Sequence, residues 1–234
     1  MNYIYNLKLN VMDAQRHVLI MGASGMIGSL VLEECLNSNK IGRVTTIGRK
    51  KLPEHPKLTQ IISENVSEPM NLLKGVDMVD VCYYCIGVYT GQVPKDEFIK
   101  ITVDMPVAFA RALYASSPQC HFVLLSGDGA DRSGKSSLLF ARQKGIAENE
   151  LLKIGFPHVY CCRPGYIYPD AVRKEPNTAY AVIKKLYPLV SFFYPSFGIR
   201  SGQLARAMFN IGLQNIAQNV FTHQDLLRQA KLQE

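Results

Sequence analysis

The sequence has no long uninterrupted apolar run. Its longest apolar stretch near the C-terminus, residues 179–194, contains Lys184, Lys185 and Pro188, whereas a membrane-spanning helix needs about 20 consecutive apolar residues. The N-terminal residues also lack the basic region, apolar stretch and small-residue cleavage site of a secretory signal. We therefore predict a protein with no membrane span and with a cytoplasmic location.

The spacing of the cysteines argues against a disulfide or zinc site. Of the six cysteines, Cys82 and Cys85 form an apparent CxxC pair inside an apolar run, and Cys161 is adjacent to Cys162. Residues one or three apart on a strand point to opposite faces, so neither pair can bind a common zinc ion or form a redox dithiol. The five histidines show no metal-ligand spacing, and we predict reduced thiols and no metal.

The charge and length restrict the class of protein without identifying a ligand. Charged residues make up 19% of the chain and the net charge is +7, which favours an anionic ligand such as a phosphorylated cofactor but also fits a solvated basic surface. No nucleic-acid-binding module is recognisable. A chain of 234 residues can bury one core, so we predict a single domain over 1–234.

Strand and helix patterns alternate along most of the chain. Apolar, β-rich runs predict strands at 17–21, 44–47, 58–63, 78–86, 121–126 and 159–163, and helical periodicity predicts helices at 27–37, 95–115, 138–154, 178–190 and 201–215. Such alternation is typical of an α/β fold, a Rossmann-type doubly wound parallel sheet with helices on both faces. We expect residues 169–234 to add a small C-terminal helical cap on the substrate side.

A glycine loop follows the first predicted strand and opens the first predicted helix. It comprises Gly22, Ala23, Ser24, Gly25, Met26, Ile27 and Gly28. Glycines in this context allow a tight turn, a close approach of the backbone to a pyrophosphate, and close packing of helix on strand. Amide groups at the helix N-terminus then face the phosphates. The loop therefore predicts a dinucleotide-binding site.

The end of the second strand favours NADP(H) over NAD(H). NAD-binding sites usually have an acidic residue there for the ribose 2′-hydroxyl, but this chain has Arg49 and Lys50, followed by Lys51. The planar guanidinium of Arg49 can pair with a 2′-phosphate, with Lys50 as a second cation, whereas Lys51 is more simply an exposed loop charge. Further contacts are expected from residues after the third and fourth strands, which are Asn65, Val66, Cys85, Ile86 and Gly87.

Several further segments resemble the atypical short-chain dehydrogenase/reductase superfamily, in the branch of the HIV Tat-interacting oxidoreductase and NmrA-like proteins. Beyond the glycine loop, they are residues 85–87, Leu124-Leu125-Ser126 with Gly129-Ala130-Asp131, Lys144-Gly145 with Glu148, and Arg163-Pro164-Gly165. The resemblance implies that Ser126 polarises a substrate carbonyl, that Lys144 binds the nicotinamide ribose, and that Arg163 and Pro164 contribute to the cofactor site. The tyrosine expected four residues before Lys144 is replaced by Phe140, which cannot transfer a proton.

This replacement leaves three hypotheses open. Another hydroxyl, such as that of Tyr166 or Tyr89, replaces the missing tyrosine, although either can equally be a wall residue of the pocket. Alternatively, water or the substrate supplies the proton, assisted by Ser126 and Lys144. In the third hypothesis the protein binds NADP(H) without catalysis and acts as a sensor, regulatory or assembly protein. The expected ligands are a small carbonyl or sugar-like molecule or a protein partner, and homo-oligomers remain possible.

Overall fold

A parallel sheet forms the centre of the molecule. The computed structural model describes residues 15–66, 68–170 and 198–232. Within those ranges, seven strands join in the order β3-β2-β1-β4-β5-β6-β9, all parallel. Their bounds are β1 Arg16–Met21, β2 Ile41–Gly48, β3 Leu58–Ile62, β4 Val81–Tyr84, β5 His121–Leu125, β6 His158–Cys162 and β9 Val220–Phe221. A short parallel pair, β7 Tyr166–Tyr168 and β8 Gly198–Arg200, lies apart from this sheet.

Helices cover both faces of the sheet. They are α1 Met26–Asn37, α2 Pro69–Leu72, α3 Lys95–Ile99, α4 Met105–Ser116, α5 Leu139–Leu152, α6 Ser201–Leu213 and α7 His223–Gln229, with a π-helical segment, Lys100–Asp104, between α3 and α4. On one face α1 and α6 bury apolar residues such as Val31 and Met208, and on the other α4 and α5 bury Phe109 and Leu151. Central strands covered on both faces read as continuous apolar runs, which explains why apolar, β-rich runs in the sequence revealed them.

The predicted doubly wound fold is confirmed, with differences at the ends of elements. All six predicted strands are present, although β4 ends at Tyr84 instead of residue 86, and the helix predicted over 95–115 contains the π segment. The strands β7, β8 and β9 and the helices α2 and α7 were not predicted, because elements of two to seven residues carry too little periodicity. The helix predicted at 178–190, within the expected cap, lies outside the described residues.

The paired cysteines point to opposite faces, as predicted. Cys82 and Cys161 lie in the cluster that packs against α4, whereas Cys162 and the partly exposed Cys85 pack on the side of α1. Each pair is therefore separated by the sheet. No helix in the described ranges has the length and apolarity needed to cross a bilayer.

Candidate functional site

The strand order places a cleft at the carboxyl ends of β1 and β4. The chain leaves β1 toward β2 and β3, and later returns on the other side of β1 with β4. Doubly wound sheets bind ligands at this reversal of strand order. Here a cleft of about 260 Å³ opens. It is lined by Gly25, Met26, Ile27, Cys85, Ile86, Gly87, Val88, Tyr89, Leu125, Ser126, Gly127, Phe140, Lys144, Pro164, Gly165 and Ile167.

The glycine loop brings the N-terminus of α1 to this cleft. Gly22 has a φ of +83°, a backbone conformation that side chains disfavour, and its carbonyl accepts a hydrogen bond of 2.9 Å from the Gly25 amide. A Cβ on Gly28 would lie only 2.2 Å from the Gly22 oxygen, so only glycine permits this approach of helix to loop. Gly25 caps α1 without a side-chain hydrogen bond, and the loop therefore directs helix-terminal backbone toward the cleft.

The basic residues predicted to select the cofactor follow β2. Ile47 of β2 pairs with Met21 of β1, so the residues after both strands emerge at the same edge of the sheet. Arg49 and Lys50 are exposed, and Arg49 forms no hydrogen bond or ion pair with another described residue. Its guanidinium is available to an anion from solvent.

Of the predicted cofactor contacts, those after the fourth strand line the cleft and those after the third strand do not. Asn65 is exposed, and its side-chain amide donates a hydrogen bond of 2.7 Å to Glu68. Val66 packs against the cluster on the α4 side of the sheet. Cys85, Ile86 and Gly87 line the cleft itself, whereas neither Asn65 nor Val66 is among the described residues that do.

Ser126 lies at the bottom of the cleft and is bonded to a buried carboxylate. It follows β5 directly and is 6% exposed, and its hydroxyl donates a hydrogen bond of 2.6 Å to Oε1 of Glu148. Glu148 is on α5, four residues after Lys144, and is fully buried. The structure therefore adds a carboxylate to the predicted pair of serine and lysine.

Two arginines hold Glu148 in its ionised form. Arg163 donates to both carboxylate oxygens, from Nε at 2.9 Å and from Nη2 at 2.5 Å, and Arg132 donates from Nε at 2.8 Å. Burial by itself raises the pKa of Glu148, but the hydrogen bonds from Arg163, Ser126 and Arg132 outweigh it and hold the pKa below its usual value. Arg163, predicted to contact the cofactor, therefore pairs with Glu148 and is not among the described residues lining the cleft.

Lys144 is the one cationic side chain among the described residues that line the cleft. Its side chain is 8% exposed, and Nζ donates a hydrogen bond of 3.0 Å to the carbonyl oxygen of Leu125, the residue before Ser126. Burial lowers the pKa of Lys144 to about 8, although the nearby Glu148 opposes the shift. Helix α5 thus brings Lys144 beside Leu125, the residue that ends β5.

Phe140 occupies the position where the resemblance predicts a tyrosine. It lies in the first turn of α5 and lines the cleft. The ring packs on Gly127, where an added Cβ would lie 2.4 Å from the Phe140 Cζ atom. The aromatic ring thus fills the space next to Ser126 and brings no proton-transferring group to it.

The two tyrosines predicted to replace the missing hydroxyl are in different places. Tyr89 follows Gly87 after β4 and lines the cleft. Tyr166 is in β7, opposite Gly198 of β8, and is not among the described residues that line the cleft. Tyr89 is therefore the nearer candidate by position.

Sequence reasoning did not assign functions to Glu148 and Arg132. Glu148 was noted only as part of a motif, although its position four residues after Lys144 places both side chains on one face of α5. That spacing is the signal by which Glu148 could have been found. Arg132 lies in a loop before α5, and no local pattern in the sequence connects it to Glu148.

Comparison with known proteins supports the predicted resemblance. Residues 18–136 match the model of the NAD dependent epimerase/dehydratase family. The chain is 30% identical over 165 residues to the protein HTATIP2 of Rattus norvegicus, which covers 69% of this chain and 67% of that protein. It is 28% identical over 217 residues to the mitochondrial protein fmp52 of Aspergillus clavatus, covering 87% and 90%. The predicted resemblance to atypical short-chain dehydrogenases/reductases is therefore confirmed.

Solved structures share the fold at low sequence identity. The Bordetella bronchiseptica enzyme WbmF, solved in complex with NAD+, has a TM-score of 0.65 at 13% identity, covering 94% of this chain and 78% of that one. An oxidoreductase of the short-chain dehydrogenase/reductase family from Burkholderia thailandensis has a TM-score of 0.64 at 14% identity, covering 88% and 89%. These similarities show the Rossmann-type fold.

The predicted cytoplasmic location is wrong. The similar fmp52 proteins of Aspergillus clavatus, Aspergillus niger and Debaryomyces hansenii are named as mitochondrial. The prediction had rested on the lack of a secretory signal, which does not distinguish the cytoplasm from other compartments that a protein reaches without such a signal.

Proposed function

The chain belongs to the NAD dependent epimerase/dehydratase family, and we propose that it binds NADP(H) in the cleft between β1 and β4. The observation that carries this proposal is the glycine loop, which brings the N-terminus of α1 to the cleft without a side-chain cap. Uncapped helix-terminal amides attract anions through hydrogen bonds and the helix dipole. The absence of a Cβ at Gly25 and Gly28 leaves this backbone accessible to a pyrophosphate.

The residues around the cleft fit the remaining parts of the cofactor. Arg49, exposed and without a described partner, is assigned to the ribose 2′-phosphate, with Lys50 beside it. Cys85, Ile86 and Gly87 are assigned to the nicotinamide half, and Lys144 to its ribose. Ala23, Ser24 and the rest of the loop are assigned to the pyrophosphate. Pro164, which lines the cleft, and Asn65, Val66 and Arg163, which are not among the described residues lining it, stay predictions.

We propose that the bound protein acts as a reductase or epimerase on a small carbonyl or sugar-like molecule. The cofactor, when bound, supplies or removes a hydride. Ser126 and Lys144, both lining the cleft, orient the reacting oxygen through hydrogen bonds. Because Phe140 cannot transfer a proton, the proton comes from Tyr89, which also lines the cleft, or from solvent, and a contribution of Tyr166 stays a prediction.

One observation favours a second function, that of a non-catalytic NADP(H) sensor or assembly protein. The Phe140 ring packs on Gly127 next to Ser126, where the resemblance calls for an acid. General acid catalysis is worth roughly 10²- to 10⁴-fold in rate, so its loss is severe for an enzyme and harmless to a binding protein. A protein partner that responds to the bound cofactor would then be the functional ligand.

The cofactor assignment is tested with Arg49→Ala, using Lys51→Ala as the matched control. A charge-assisted hydrogen bond contributes about 1.5–3 kcal/mol, so Arg49→Ala is expected to weaken NADP+ binding by roughly 10- to 100-fold and to leave NAD+ binding nearly unchanged. Lys51, paired with Glu54 at the surface, should affect neither. Calorimetric titration measures the affinities of the unmodified protein and of both variants for both nucleotides, and equal affinity of the unmodified protein for NADP+ and NAD+ would refute the assignment of the 2′-phosphate.

The two functions are separated by Phe140→Tyr. In an enzyme that lacks only its acid, the new hydroxyl is expected to raise the turnover of generic carbonyl compounds by a factor of ten or more. In a sensor, the variant should bind NADP(H) as before and still turn nothing over. The absorbance of NADPH during steady-state assays measures the turnover, and the change in NADPH fluorescence on binding measures the affinity.

A mitochondrial location is proposed from the names of the fmp52 relatives. Fractionation of cells that express the full chain with a C-terminal epitope is expected to recover it with mitochondrial markers. Recovery in the cytosolic fraction alone would contradict this proposal without affecting the cofactor assignment.

A further inference from the structure

The hydroxyl of Ser126 is already committed as a donor inside the protein. Its oxygen is 2.6 Å from Oε1 of Glu148. An ionised carboxylate only accepts hydrogen bonds, so the proton in this contact belongs to Ser126. The serine hydroxyl therefore directs its proton away from the cleft and toward the carboxylate of Glu148 on α5.

Glu148 cannot take up this proton, because arginine donors surround its carboxylate. Arg163 donates to both carboxylate oxygens and Arg132 to Oε2. Protonation of the carboxylate would place a new O–H group against these donors, at a site that is fully buried. Such a charged, hydrogen-bonded group is stable only as an anion, so the direction of the Ser126 hydroxyl is fixed.

What faces the cleft is an acceptor next to a donor. No described residue donates a hydrogen bond to Ser126 Oγ, so its lone pairs are available to a ligand. Lys144 uses one N–H on the Leu125 carbonyl, and an ammonium group has two more. Since Leu125 precedes Ser126, the Lys144 ammonium lies near the backbone of Ser126, and both residues line the same cleft.

We propose that Ser126 accepts a hydrogen bond from a hydroxyl group of the ligand while Lys144 donates one to the same hydroxyl oxygen, so that the site selects an alcohol over the corresponding carbonyl. A hydroxyl has the proton that Ser126 needs and the lone pair that Lys144 needs. A carbonyl oxygen satisfies Lys144 but presents lone pairs to those of Ser126. Glu148 is the positioning residue that sets this preference.

The inference rests on the proposed function for the location of the ligand and goes further by naming the chemical group held most tightly, an alcohol, which is the reduced partner of the carbonyl in hydride transfer. It also reverses the expectation from the resemblance, in which the serine donates to a carbonyl. The hydroxyl can belong to a second ligand or to the ribose of the cofactor. We assign it to a second ligand in the cleft that Ser126 lines together with Phe140 and Gly165, and the measurements below distinguish the two sources.

The test compares cyclohexanol and cyclohexanone, which differ at one oxygen. Both are titrated into the full-length protein saturated with NADP+, and the methyl NMR shifts of Ile27, Ile86 and Ile167, which line the cleft, give the dissociation constants. Cyclohexanol is expected to bind roughly 3- to 10-fold more tightly, as one additional hydrogen bond provides. Equal binding, or tighter binding of the ketone, overturns the proposal.

Ser126→Ala removes the hydrogen-bond acceptor and should weaken one probe selectively, whereas a structural defect would weaken both. Cyclohexanol should lose its advantage, while cyclohexanone should bind as well as before or better. Ser116→Ala, at an exposed serine on α4 whose hydroxyl bonds, among the described residues, only to Leu113, is the matched control and should keep the preference. Equal weakening of both probes in Ser126→Ala would contradict the assignment.

Glu148→Gln is designed to reverse the preference. Oε2 accepts hydrogen bonds from both Arg163 and Arg132, whereas Oε1 accepts one from Arg163 and one from the Ser126 hydroxyl. The new amide nitrogen should therefore take the Oε1 position and donate to Ser126 Oγ, which releases the serine proton to the cleft. Tighter binding of cyclohexanone than of cyclohexanol in this variant supports the proposal, and an unchanged preference in a folded variant refutes it.

The measurements show whether the hydroxyl belongs to the ribose or to a second ligand. They also distinguish a failure of this inference from a failure of the proposed function. If Ser126→Ala weakens NADP+ itself and leaves the preference among probes unchanged, the hydroxyl is that of the ribose and the assignment to a second ligand is wrong. If NADP+ does not bind the unmodified protein, the proposed function fails. The probes are then compared without cofactor, where the preference for the alcohol is still expected.

Discussion

The buried cation at the bottom of the cleft has a measurable consequence for stability. Lys144 is 8% exposed, and burial lowers its pKa from 10.5 to about 8. A lysine whose pKa is lower in the folded state destabilises the fold while it carries its charge. Lys144→Met removes this charge and keeps most of the side-chain volume, so the comparison isolates the titration.

The direction follows from the protons bound in each state. Below pH 8 both states hold the proton, and the folded protein bears the full cost of a buried charge. Between pH 8 and 10.5 the unfolded chain still binds a proton that the folded protein has released, so stability rises with pH. At 1.36 kcal/mol per pKa unit, the wild type should gain about 2.5 kcal/mol relative to Lys144→Met between pH 7 and pH 10.

Urea denaturation of both proteins at several pH values provides the assay. Titrations of tyrosines and cysteines occur in both proteins and cancel in the difference between their free energies of unfolding. Lys153→Met, at a lysine whose side chain is 70% exposed, is the control and should show no comparable change. A difference between wild type and Lys144→Met that stays constant from pH 7 to pH 10 would refute the reasoning.

Two further substitutions test the architecture of the site. Gly28→Ala would place a Cβ 2.2 Å from the Gly22 carbonyl oxygen, and we expect a loss of about 3 kcal/mol together with the loss of NADP+ binding. Gly48→Ala, where no atom lies within 4 Å of the added Cβ, should change the urea midpoint little. Glu148→Ala leaves two arginines without their common carboxylate and should cost about 3–5 kcal/mol, which an unchanged urea midpoint would contradict.

Much of the fold follows from local patterns in the chain. The long apolar runs at β1, β2 and β5 and the helical periodicity of α1 and α5 reflect burial of whole faces, which leaves a regular trace in the sequence. Alternation along the strands likewise predicted that Cys82 and Cys85 point to opposite faces, as do Cys161 and Cys162. The strand β9, with two residues, leaves no such trace because its pairing with β6 depends on the assembled sheet.

The location of the site followed from sequence for the same reason, but its chemistry did not. A glycine loop between a strand and a helix specifies where a dinucleotide phosphate can approach, because backbone geometry is set by adjacent residues. The side chains that donate hydrogen bonds to Glu148 come from positions 126, 132 and 163. Two strands, a loop and a helix bring these positions together. Hydrogen bonds between such distant positions leave no periodic signal.

Ser126 shows what the sequence determines about a residue and what only the tertiary structure decides. Its place at the end of β5, before a turn and opposite Lys144, was determined by the sequence alone, since strand, turn and helix each carry local patterns. The direction of its hydroxyl proton was decided only by the tertiary structure, because it depends on a buried carboxylate held ionised by two arginines. Sequence therefore determines which groups reach the cleft, and packing determines whether they give or accept a proton there.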